Sequence, residues 1–175
     1  MPKSSKKQIS EDEKKIIAEM QNNSGDSIEN IAKKCGFSRQ KIWRIKKRLE
    51  KNKTIWGYAA IVDNEKLNMK RYIFLVKLKH LPIDNEVEKN MIEGTIDKLG
   101  AEMGISVKDS FWLNGNYDYM VCFSADDLKK AKKFQEIFIR TYNRNIAELQ
   151  LIENIVTIKK DGFMNPKIIE TKKLL

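Results

Sequence analysis

Histidine, cysteine and proline are nearly absent from this chain: of 175 residues, one is His, two are Cys and three are Pro. His80 stands alone, and Cys35 and Cys122 belong to no CxxC or Cys/His spacing, so no metal site is indicated. Two isolated cysteines read as small buried hydrophobes in a reducing compartment, not as a disulfide framework. No apolar run approaches ~18 residues, so nothing reads as a membrane span. Paired catalytic carboxylates, a nucleophile motif and a phosphate-cradling glycine loop are missing too, so the chain is read as a non-enzyme that needs no cofactor. Met1 to Gln8 is basic and polar with no apolar core behind it. That reads as a disordered arm and not as a secretory signal, which leaves the cytoplasm as the default location.

What is present is positive charge, unevenly placed. The formal net charge is +10. Residues 1–62 hold 15 Lys/Arg against 7 Asp/Glu, whereas residues 63–175 hold 19 against 17. A basic first third beside a near-neutral remainder implies two domains, one of which meets an anionic partner.

The basic third centres on Ser38 to Lys53, SRQKIWRIKKRLEKNK. On a helix at ~100° per residue, Ile42, Ile45 and Leu49 share one narrow stripe while Gln40, Arg44, Lys47 and Lys51 point the other way. Trp43 sits on the flank. Eight Lys/Arg (39, 41, 44, 46, 47, 48, 51 and 53) face one acid, Glu50. Ser38 is an expected N-cap. Upstream, Ser10-Glu11-Asp12-Glu13 reads as a capping box ahead of Ile16, Ile17 and Met20. Ser27 caps a second helix with Ile28, Ile31, Ala32 and Cys35 on its apolar side, and Gly36 ends it. Two short helices joined by a tight glycine turn, the second strongly basic, describe a helix-turn-helix. Its expected double-stranded DNA contacts are Ser38, Arg39, Gln40, Lys41, Trp43, Arg44, Lys46, Lys47 and Lys51. Arginine suits guanine and glutamine suits adenine, while the lysines suit phosphate. Trp43 has no acceptor and would pack on sugar or a thymine methyl, or else turn partly into the core. A solvated lysine-rich face is the plain alternative for the whole stretch.

Thr54 to Val62 is rich in aromatic and β-branched residues and reads as a strand, either a wing or an arm leaving the domain. Asp63 to Lys70 is polar and turn-prone, and residues 63–71 form the expected linker. Beyond it Tyr72–Lys79 reads as a strand and Asp84–Leu99 as a helix with Val87, Met91, Ile92, Ile96 and Leu99 inward and Gly100 past its end. Gly94 weakens that helix. Ile105–Leu113 and Tyr117–Ser124 read as strands around Asn114-Gly115, a dipeptide suited to a type I′ turn. A second helix opens at Ser124-Ala125-Asp126-Asp127 with Leu128, Ala131, Phe134 and Phe138 on one side, and Ile146–Ile158 closes the series as a strand. Residues 72–160 are thus βαββαβ, a ferredoxin-like sheet with both helices on one face. The other face calls for a second subunit. The expected class is α+β, with a winged or helix-turn-helix domain over 1–62 and a tail over 161–175.

This combination resembles the leucine-responsive/asparagine (Lrp/AsnC, feast/famine) transcriptional regulators. The resemblance spans roughly residues 10–160 and rests on Ile31-Ala32, Gly36-Phe37-Ser38, Arg44, Leu49-Glu50, Ile55, Gly57-Tyr58, Ala60, Gly115 and Asp118. Lys53 departs from it where a glycine is usual, with Asn52 able to take the left-handed cap instead. Asn64 and Asn68 stand where the linker usually has proline and glycine. The resemblance implies a sequence-specific regulator, dimeric at least with tetramer and octamer as larger forms, that binds an amino-acid effector at Gly115 and Asp118. A sequence-tolerant architectural DNA-binding protein is the second reading. A third is a resemblance to siroheme decarboxylase subunits, for which His80 is the one candidate ligand or general acid.

Overall fold

The computed structural model describes residues 6–171, with side chains for residues 10–170. It divides into two compact units, Met1–Ile61 and Val62–Leu175.

Unit 1 is three helices: α1 (Lys6–Asn22), α2 (Ile28–Cys35) and α3 (Arg39–Lys51). The expected caps form as read. Ser27 Oγ accepts the Asn30 N–H at 3.1 Å and Ser38 Oγ accepts the Lys41 N–H at 3.3 Å. Gly36 takes φ 69°, the left-handed conformation open to a residue without Cβ, and turns the chain between α2 and α3. Ile16, Met20, Ile31, Cys35, Ile42, Ile45 and Leu49 pack together as the core of the unit.

Four expectations from the basic third of the chain are corrected. The capping box at Ser10 does not start a helix, because α1 already runs from Lys6. Asp12 turns instead to Lys41, and Glu13 to Arg48. Of the expected disordered arm, Lys6 to Gln8 is helical and Met1 to Ser5 lie outside the described residues. After α3, Asn52 stays at φ −87° and Lys53 itself takes φ 61°. Thr54 to Val62 forms no strand: it finds no ladder partner, and Trp56 stands 94% exposed.

Unit 2 opens on a short 3-10 helix (Asn64–Leu67) inside the expected linker, and Asn68 ends it at φ 51°. The elements that follow are β1 (Lys70–Leu78), α4 (Asn85–Ile92), α5 (Thr95–Glu102), β2 (Ser106–Trp112), β3 (Tyr119–Ala125), α6 (Leu128–Thr141) and β4 (Ile146–Asn154). The strands order as β2-β3-β1-β4, all pairings antiparallel. In β1 Tyr72, Phe74 and Val76 face the helices and are fully buried with Phe123, Phe134 and Phe138. Alternation puts Ile73 and Leu75 on the opposite face.

The single helix expected over Asp84–Leu99 is two, because Gly94 adopts φ 66° and α5 starts afresh from it. Ile92 is consequently outward, at 79% exposure, and Gly100 is buried inside α5. Leu128, in the first turn of α6, is exposed as well. Asn114-Gly115 forms no type I′ turn. The hairpin closes where the Leu113 N–H donates to Asp118 O at 2.8 Å, which leaves residues 114–117 as a four-residue loop with no positive φ. The closing strand stops at Asn154, and the tail holds a small hairpin, β5 (Lys159–Lys160) with β6 (Phe163–Met164), then α7 (Ile168–Thr171).

The helix-free sheet face carries Ile73, Leu75, Phe111, Met120, Cys122 and Ile152, as the strand registers require. Cys122 is half-buried there, in contrast to the buried Cys35. Burial, and then the Arg71 guanidinium, holds the Lys160 ammonium below the ordinary lysine range.

Candidate nucleic-acid interface

Burial of Ile42, Ile45 and Leu49 fixes which face of α3 meets solvent. The outward set begins with Arg39, Gln40 and Arg44, all exposed, with Trp43 beside them at 55% exposure. Trp43 is therefore outside the core. Among the described residues, Arg39, Gln40 and Arg44 make no side-chain hydrogen bond or ion pair. They stand in the first turn and a half of the helix, where a major-groove helix meets base edges.

The eight cations fall into two groups. Lys41 bridges to the buried Asp12 at 2.7 Å and lies 3.7 Å from the Phe37 ring centroid, which ties α3 to α1. Arg48 donates to Glu13 at 2.9 Å, a second tie between the same helices. Lys47 pairs with Glu50 at 3.3 Å, and Lys46 lies over the Tyr58 ring at 4.8 Å. Arg39, Arg44, Lys51 and Lys53 have no such partner among the described residues. Lys41 is the expected contact that the structure diverts furthest, since it neutralises a carboxylate 95% hidden from water. Lys46 and Lys47 are anchored at the surface, where exchange of a partner for phosphate costs little.

Sequence reading missed Tyr58. Its hydroxyl donates to Glu50 Oε1 at 3.0 Å and fastens the segment after α3 back onto the helix. Burial first, and then the Glu50 carboxylate, push the Tyr58 phenol up to about 12. The same bond holds Glu50 below the ordinary carboxylate range. A Tyr eight residues beyond a helical Glu carries no recognisable spacing rule, so no sequence signal marks this pair.

In unit 2, Asp118 is bound into the fold. The β1–β3 ladder ends at Val76↔Tyr119, so the Leu78 N–H lacks a partner on β3. Asp118 Oδ2 accepts it at 2.8 Å, while the Asp118 N–H donates to Val76 O at 2.9 Å. Oδ1 has no hydrogen-bond partner among the described residues. Gly115 is exposed at the loop tip, with open space where a Cβ would stand. His80 is an exposed side chain 4.0 Å from Asp84.

Residues 13–55 match the family model described as winged helix-turn-helix DNA-binding. No curated protein sequence matches the chain. Among solved structures, an AsnC family transcriptional regulator from Agrobacterium tumefaciens aligns at TM-score 0.62 and 21% identity, over 90% of this chain and 97% of that one. A transcriptional regulator from Neisseria meningitidis, solved as its L-Met complex, aligns at 0.64 and 18% over 99% of this chain and 100% of that one. The feast or famine regulatory protein of Mycobacterium tuberculosis, complexed with L-methionine, aligns at 0.67 and 12% over 90% and 99%. The chain therefore has the fold of these regulators along nearly its whole length.

The Tyr58–Glu50 bond generates a titration test. Neutral Tyr58 is favoured by the fold, so the bond's contribution is complete below the ordinary phenol value of ~10 and is lost as pH rises through about 12. Ultraviolet titration should find two phenols ionising near 12, Tyr58 and the buried Tyr142, of which Tyr58→Phe removes one. Glu50→Gln should bring the Tyr58 phenol only part of the way down, because burial is the larger cause; a Tyr58 phenol unmoved by Glu50→Gln contradicts the bond.

Proposed function

We propose that this chain is a sequence-specific, non-enzymatic DNA-binding transcriptional regulator of the Lrp/AsnC kind. The observation that carries the reading is the α3 face. Two arginines and a glutamine lie unpaired in its first turns, above a buried stripe that holds the helix in one orientation. Lysine alone serves a surface directed only at phosphate, whereas glutamine presents paired groups to a base edge and arginine can do so to guanine. Arg44→Ala should cost about 1–3 kcal/mol in binding and relax specificity at one position per half-site, measured by selection from random duplexes. Lys51→Ala should weaken all sequences alike and flatten the salt dependence. Uniform loss from both would favour the architectural reading.

Reading a palindrome takes two copies, and the helix-free sheet face is the surface suited to joining them. It offers Phe111 at 47% and Ile152 at 38% exposure between half-buried Leu75, Met120 and Ile73. Contiguous apolar surface of this kind favours burial against another subunit. Phe111→Glu should reduce the molar mass by light scattering from a dimer or larger assembly to a monomer. An unchanged mass would remove this face from the assembly.

An amino-acid effector is the remaining part of the proposal, supported by the methionine bound to two proteins of this fold. Asp118 Oδ1 is an acceptor suited to an ammonium group. Asp118→Ala is a poor test, because an orphaned Leu78 N–H would cost about 1–3 kcal/mol by itself. Asp118→Asn keeps an oxygen for Leu78 and replaces the other with a donor. L-methionine, followed by the other common amino acids, should raise the melting temperature of the unsubstituted protein but not of Asp118→Asn. Equal shifts in both would move the effector away from Asp118.

A further inference from the structure

We infer that the outward face of α6 is a second, sequence-independent binding surface for the DNA backbone; this rests on the reading of unit 1 as DNA-binding.

α6 buries Ala131, Phe134 and Phe138 on its inner side. Lys129, Lys132, Lys133, Glu136 and Arg140 are exposed, and helical periodicity gathers them into a stripe ~100° wide. From Lys129 to Arg140 the stripe runs about 16 Å. Within the helix five cations meet one acid. Lys130 is already bound to Asp126. The other four make no ion pair or side-chain hydrogen bond among the described residues. Glu136 stands four residues from Lys132 and from Arg140, a spacing at which helical pairs form, yet it joins neither. The other two helices that pack on this sheet have the opposite balance. α4 and α5 carry four acids against two lysines, and Lys89 does pair with Glu93, at 3.8 Å.

An ordinary solvated lysine-rich face mixes both signs to limit self-repulsion. Here cations are sorted onto one helix and left unpaired, which favours compaction only when an external anion neutralises them. Duplex DNA presents one negative charge per ~1.7 Å, dense enough to engage several of these side chains at once. Once unit 1 holds a duplex, the covalent link keeps α6 at high effective concentration near it. Lysines on flexible stems give affinity without base preference, so this surface would add to binding and leave specificity to α3.

The test uses the full chain and a long mixed-sequence duplex, with affinity followed through a salt series. The triple variant Lys129→Gln, Lys132→Gln, Lys133→Gln should flatten the slope of log K against log salt by about 1 to 2.7, at ~0.9 per lost phosphate contact. A control with the same charge change elsewhere in unit 2, Lys66→Gln, Lys89→Gln, Lys98→Gln, should leave the slope near that of the unsubstituted protein. An unchanged slope in the α6 variant, or an equal change in the control, overturns the inference. A fall in molar mass by light scattering in the α6 variant would assign the stripe to contacts between copies, and would overturn it too. If the unsubstituted protein binds no duplex, the reading of unit 1 fails. If it does bind and the α6 variant matches it, only the assignment of α6 fails.

Discussion

Everything in unit 1 depends on the burial of three side chains, Ile42, Ile45 and Leu49, at 0%, 3% and 2% exposure. Each fully buried aliphatic group is worth about 1.5–3 kcal/mol relative to exposure. That is enough to fix the rotation of α3 about its axis against the repulsion of eight cations on one short segment. The ion pairs of Lys41 with Asp12 and Arg48 with Glu13 reinforce the same orientation from the α1 side. Orientation is what makes the outward face chemically specific. A helix free to roll would present an average of lysines, whereas this one presents Arg39, Gln40 and Arg44 together.

The division of labour among the cations follows from what surrounds each one. Cations directed toward α1 are consumed in holding the helix pair, and Lys41 is the extreme case because its carboxylate is out of water. Cations at the far end are spread over Glu50, the Tyr58 ring and solvent. Arg39 and Arg44 pair with no acid among the described residues, and the first turn of α3 contains none. Such a gap is unfavourable for the helix itself, whose N-terminus prefers negative charge. A phosphate or a base acceptor at that end would supply what the chain omits.

Much of this was legible in the residues. Ser27, Ser38 and Gly36 mark helix ends by their own chemistry, and the stripes of α2, α3 and α6 give the core directly. The βαββαβ order followed from alternation and from the Gly and Asn punctuation. Legibility failed where a local signal had a distant competitor. Ser10-Glu11-Asp12-Glu13 has the form of a cap, but its acids bond to side chains about thirty residues away. Thr54 to Val62 has strand composition, but propensity makes no ladder without a partner. Asp118 suggested a ligand contact from resemblance, while its bond to Leu78 depends on where the β1–β3 ladder stops, a matter of tertiary register. Gly94 was visible as a weakness, but a break with two separately capped helices was not.

Unit 2 repeats in its own terms the problem that α3 solves in unit 1. A four-stranded sheet with helices on one face leaves a reverse side, and here that side is apolar. Covering that side by a second copy would leave the helical layer as the outside of the assembly, because the two faces of one sheet cannot both meet the same partner. In such an assembly the helices would be where charge could vary without disturbing the contact between copies, and on them it is sorted: acidic on α4 and α5, basic on α6. Adjacent patches of opposite sign would guide a polyanion along one helix and away from the other two. On the proposed reading, the apolar face would join copies, α3 would read bases, and the basic α6 face would add contacts to the backbone without base preference.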